Sequence, residues 1–155
     1  MRKAMLLLAV FALVGSLWAA DPSVGTWKLN VAKSKSAQST QAAVKEETMV
    51  VREVGDEFEI TQTGTRTDGS AISVKLTHPQ KGGVTKSQSA PPEGQMSVVT
   101  VMGPGNRYLT TLQNGKQLSV LHIEASKDGK TLIHTTKGTN AQGKPTDQLL
   151  VWDKQ

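Results

Sequence analysis

The sequence predicts an all-β protein, an antiparallel meander that closes into a small barrel, with a two-sheet sandwich as the alternative. From Trp27 onward apolar and polar residues alternate with a period of two, and Val, Ile and Thr are abundant. Turn residues recur about every ten positions, and Asp68-Gly69, Asn114-Gly115 and Asp128-Gly129 supply the positive φ angles that tight hairpins require. No stretch carries a convincing helical pattern. Many short strands in meander order favour closure, because closure removes the exposed edges that template aggregation.

The first element, Met1 to Ala20, lies outside this pattern. Arg2-Lys3 leads into an apolar run from Ala4 to Leu17 and then Trp18-Ala19-Ala20. This reads as a secretory signal peptide with cleavage near Ala19 or Ala20. The run is shorter than the roughly 20 residues of a spanning helix, so no transmembrane segment is expected in the mature chain. Residues 21–155 then form one domain, secreted or periplasmic. The chain has no cysteine, hence no disulfide framework and no thiol to acylate.

The predicted strands are, in order, Gly25 to Asn30, Thr48 to Val54, Glu57 to Thr65, Ala71 to His78, Gln95 to Met102, Arg107 to Gln113, Gln117 to Ala125, Thr131 to Thr139 and Asp147 to Asp153. Each is an alternating, Val/Ile/Thr-rich run bounded by turn residues. Two connections interrupt them. Val31 to Val44 is rich in Ala, Ser, Lys and Gln and fits either a short helix or a loop; His78 to Gly94 holds Gly82-Gly83 and Pro91-Pro92 and reads as a surface connection. Strand, Gly-Thr, turn and strand occur twice, around Gly64-Thr65 and around Gly138-Thr139. As a repeat, this marks two similar hairpins with Gly64 and Gly138 at bulges or sharp bends.

Gly25-Thr26-Trp27-Lys28-Leu29-Asn30 at the first strand resembles the G-x-W opening of lipocalins. With Ser34-Lys35, Ser126 to Thr131 and Lys137 to Gly143, the chain is similar over nearly all its mature length to small secreted bacterial lipocalin-like proteins of no established activity. The resemblance implies a lipocalin-like barrel in which Trp27 plugs the closed end and the interior holds an apolar ligand. The chain departs from lipocalins proper in lacking their T-D-Y element and an arginine near the last strand that packs on the tryptophan; Arg107 lies too early in the chain for that role.

Charge and chemistry narrow the function. Without Arg2 and Lys3 the mature chain keeps 16 basic against 13 acidic residues, a net charge of +3. Its lysines are scattered rather than blocked, which argues against nucleic acid. Gly138 to Lys144 matches the start of a phosphate-binding loop, but Pro145 stands where a magnesium-holding Ser or Thr belongs, so a hairpin turn is expected and no cofactor. His122 faces His134 if the Lys127 to Gly129 turn has three residues and Thr135 if Asp128-Gly129 turns alone. Even a facing pair falls short of the three or four ligands zinc takes, so no metal is expected. No catalytic constellation emerges, since there is no cysteine, no G-x-S-x-G elbow and no convergent carboxylate pair.

The leading expectation is a secreted binding protein for a small apolar ligand, not an enzyme. Trp27, Phe58, Ile60, Tyr108, Val120 and His122 are the interior candidates on alternating positions, with the opposite face as the other choice. The alternative is a structural or interaction protein of the cell envelope, with a packed barrel and function on the His78 to Gly94 loop.

Overall fold

The computed structural model describes residues 20–36, 43–140 and 142–155. The leader, except for Ala20, and residues 37–42 of the Val31 to Val44 connection lie outside the described residues. The strands are β1 (Gly25–Leu29), β2 (Lys35–Ser36), β3 (Val44–Val54), β4 (Glu57–Arg66), β5 (Ala71–Pro79), β6 (Gly83–Val84), β7 (Lys86–Ser87), β8 (Gln95–Gly103), β9 (Asn106–Gln113), β10 (Lys116–Ala125), β11 (Thr131–Thr139) and β12 (Pro145–Lys154). Every strand expected from the alternation is present. β3 starts four residues earlier than expected.

One continuous antiparallel sheet runs β6-β8-β9-β10-β11-β12-β1-β3-β4-β5-β7, with β2 on β12. Its two ends, β6 and β7, are separated in the chain by Thr85 alone. The sheet is therefore bent round until its edges lie one residue apart, which makes it a nearly closed barrel and excludes the two-sheet sandwich. β6 pairs with β8 through Gly83 and Val84, and β7 pairs with β5 through Lys86 and Ser87. The Thr85 N–H donates to Ser97 O at 2.9 Å and the Gln88 N–H donates to Lys75 O at 2.9 Å. Residues 83–88 thus form a strap across the seam between β5 and β8.

Two bends curl the sheet. The pairing of β3 with β4 slips between Val44 and Glu46, next to the Glu47–Gly64 pair, and that of β10 with β9 slips between Gln117 and Ser119, where Ser119 pairs on its other side with Gly138 of β11. A Cβ on Gly64 would lie 2.2 Å from Glu46 O, and one on Gly138 would lie 2.2 Å from Leu118 O. Only glycine lets the neighbouring backbone come so close. Both glycines of the internal repeat therefore sit where a bulged neighbour presses in.

The core gathers at the end where β1 begins. Trp27 and Trp152 are 0% exposed, with Leu29, Met49, Val51, Phe58, Ile60, Ile123 and Leu132 around them. β11 and β12 are joined as a hairpin, as expected: the Gly143 N–H donates to Asn140 O and the Asn140 N–H to Lys144 O, both at 2.9 Å. At the other hairpin Ser126 N–H bonds Thr131 O and His122 pairs with Thr135 rather than His134, the register expected when Asp128-Gly129 turns alone. The two imidazoles thus fall on opposite faces of the sheet.

Candidate ligand-binding cavity

Strand alternation aims one set of side chains into the barrel. From β9 these are Arg107 and Leu109, from β10 Leu121 and Ile123, from β11 Leu132 and His134, from β3 Met49 and Val51, and from β4 and β5 Ile60, Gln62, Leu76 and His78. Together with Ser23 they line a cavity of about 110 Å³, mostly apolar. A second hollow of about 600 Å³ lies against the seam, lined by strap residues Val84 to Ser87, by Ala90 and Pro91, and by Met96 and Ser97. Leu76 and Leu109 line both. The interior cavity and the hollow at the seam are thus neighbours across two leucines.

The cavity has a polar floor. Arg107 is 3% exposed, and its Nη2 donates to Asp21 Oδ1 at 2.9 Å and to Ser23 Oγ at 2.6 Å. Asp21 is held in turn by the Gly105 N–H at 3.0 Å, by the Ser23 N–H at 2.9 Å and by the Ser23 hydroxyl. The Trp27 Nε1–H closes the circuit by donating to Ser23 O at 2.8 Å. Burial raises the Asp21 pKa, but the Ser23 and Gly105 bonds and the Arg107 charge outweigh it, so the carboxyl sits below its ordinary value and stays ionised. A buried charge is tolerated only with such pairing. The Arg107 guanidinium also lies 4.2 Å from the Phe58 ring centroid, and Phe58 packs on His78 with centroids 5.7 Å apart.

Both inward histidines are neutral. Burial, followed by the Arg107 charge, lowers His78 to about 4 and His134 to about 3. His134 tilts against Trp152 at 5.7 Å. Some buried nitrogens lack hydrogen-bond partners among the described residues: His78 Nδ1 and Arg107 Nε, which belong to cavity-lining side chains, and Trp152 Nε1.

Of the residues expected inside, Ile60 lines the cavity, while Trp27 and Phe58 are buried in the core beneath it. Tyr108, Val120 and His122 alternate with Arg107, Leu109, Leu121 and Ile123 and therefore take the outer face, a correction to the expected inward set. There the Tyr108 and His122 rings stack at 4.4 Å, and His122 Nε2 meets Asn106 Oδ1 at 2.9 Å. On β9 the inward phase escapes a hydropathy reading because Arg107 is a polar residue whose burial depends on the distant Asp21 and Ser23, whereas on β10 Leu121 and Ile123 are the more apolar phase and hydropathy favours them over Val120 and His122. A cation does reach Trp27 from the last strand, but it is a lysine: Lys154 Nζ lies 5.0 Å from the ring centroid. The floor around Asp21 and Ser23 is not legible in the sequence, since nothing there ties these residues to Arg107.

No family model and no curated protein sequence matches the chain. Among solved structures, the zebrafish ileal bile acid-binding protein complexed with cholic acid is similar at a TM-score of 0.46 and 15% identity, over 86% of this chain and 99% of that one. The barrel described above rests on the strand pairings themselves.

Proposed function

We propose that this chain is a binding module for a small apolar ligand, exported to the periplasm or beyond, and that it carries out no catalysis. The cavity supports this reading: an apolar hollow of about 110 Å³ inside a β-barrel, bordered across Leu76 and Leu109 by a hollow of about 600 Å³ at the seam. Together they have the size of a small-molecule site, whereas the inner hollow alone is of the order of a space that admits benzene. The ligand's apolar body lies among Met49, Val51, Ile60, Leu121, Ile123 and Leu132, and any larger part lies toward the strap. The segment between His78 and Gly94 builds that strap and lines the outer hollow, which supports a role for it beside the cavity.

Export rests on the sequence reading of the leader. Cleavage near Ala19 or Ala20 leaves Asp21 to complete the floor. Native mass spectrometry of protein purified from its own compartment tests the whole reading. The expected result is a chain starting at Ala20 or Asp21 with an added mass that is lost on denaturation. A bare chain that also fails to take up toluene or N-phenyl-1-naphthylamine overturns the carrier reading.

A further inference from the structure

Building on the carrier reading, we infer that the cavity selects an apolar molecule ending in an uncharged oxygen, a hydroxyl or carbonyl, which takes up the unpartnered His78 Nδ1 and Arg107 Nε at the floor. His78 is 4% exposed and Arg107 is 3% exposed, and both side chains line the cavity. Their free nitrogens have already lost water, so leaving them unmade costs more than an average hydrogen bond contributes. A hydroxyl has the chemistry for either nitrogen, because it accepts from the Arg107 Nε–H and either donates to or accepts from a neutral imidazole nitrogen.

The charge state of the floor decides against a carboxylate. Among the described residues Arg107 is the single charged side chain lining the cavity, and Asp21 already neutralises it at 2.9 Å through Nη2. An anion placed there would meet a cation whose charge is spent and the Asp21 carboxylate behind it, having given up its own hydration. A neutral oxygen avoids that cost and satisfies both nitrogens. The apolar walls hold the rest of the molecule.

Toluene, benzyl alcohol and benzoate separate these cases, because they share one ring and differ in the terminal group. Titrated into the full chain, benzyl alcohol is expected to shift the Arg107 Nε–H resonance and toluene to leave it in place, with benzoate binding at least tenfold more weakly than the alcohol. In His78→Phe, which keeps a ring against Phe58, the ratio of toluene to benzyl alcohol dissociation constants should fall by about tenfold. Benzoate as the tightest of the three, or an Arg107 resonance that ignores benzyl alcohol while toluene binds, overturns the assignment and leaves an apolar carrier standing. Failure of all three probes to bind overturns the assignment, and the carrier reading falls with it where the purified chain is also bare and takes up no N-phenyl-1-naphthylamine. If His78→Phe does not fold, the order of alcohol and benzoate and the Arg107 resonance in the unaltered chain still decide.

Discussion

Arg107 shows how much of this molecule rests on single side chains. It joins β9 to the chain before β1 through Asp21 and Ser23, 86 and 84 residues away. Arg107→Leu leaves the Asp21 carboxylate facing an apolar site, and the expected loss is about 3–5 kcal/mol in urea unfolding. Adding Asp21→Leu should recover much of that loss, since removing both charges of a buried pair is far milder than removing one. The histidines give a second prediction. Below pH 6.5 an unfolded chain protonates His78 and His134, while the native state keeps them neutral down to about 4 and about 3. The unfolded state then binds more protons, so stability falls as pH falls, by about 1.4 kcal/mol per pH unit for each histidine. Urea midpoints measured from pH 7.5 to 4.5 should drop through this window, and replacing both histidines by Gln should flatten the upper part. At this scale the sequence is least legible. Alternation says that one face of β9 is inward, but Tyr108-Thr110-Leu112 looks as apolar as Arg107-Leu109-Thr111 until Asp21 is known to lie opposite.

Elements were far more legible than residues. The long strands announce themselves because eight to eleven residues carry enough alternation to show a period. β2, β6 and β7 have two residues each, too few for any pattern, and form because a neighbour offers free backbone groups. The strap hidden in the segment from His78 to Gly94 was therefore invisible. The paired glycines are the opposite case, since the repeated Gly-Thr placed them correctly at bends. Gly64→Ala and Gly138→Ala each push a methyl into a backbone carbonyl and should cost about 1–3 kcal/mol in thermal unfolding. Gly143→Ala, at φ +74° but with nothing within 4 Å, should cost only about 1 kcal/mol, through backbone strain alone.

At the scale of the whole molecule, closure comes from a very small part of the chain. The long hairpins each hold together along seven or more residues, whereas the β5 to β8 seam is spanned by two-residue strands and the bonds of Thr85 and Gln88. Thr85→Pro removes the N–H that bonds Ser97, and its effect should be local. Hydrogen exchange is expected to quicken at residues 83–88 and along the facing edges of β5 and β8, with β10, β11 and β12 unchanged. Uniform acceleration over all strands would mean instead that the seam and the rest of the barrel unfold as one unit.

A ring fastened at one short clasp has a preferred place to open. Opening there parts the wall beside Leu76 and Leu109, so the interior is uncovered from the side while the tryptophan-plugged base stays shut. For the proposed carrier, the residence of a ligand is then set by how often six residues let go, not by the stability of the barrel as a whole. Two proteins with the same core and the same affinity, differing only in this clasp, would release their contents at different rates.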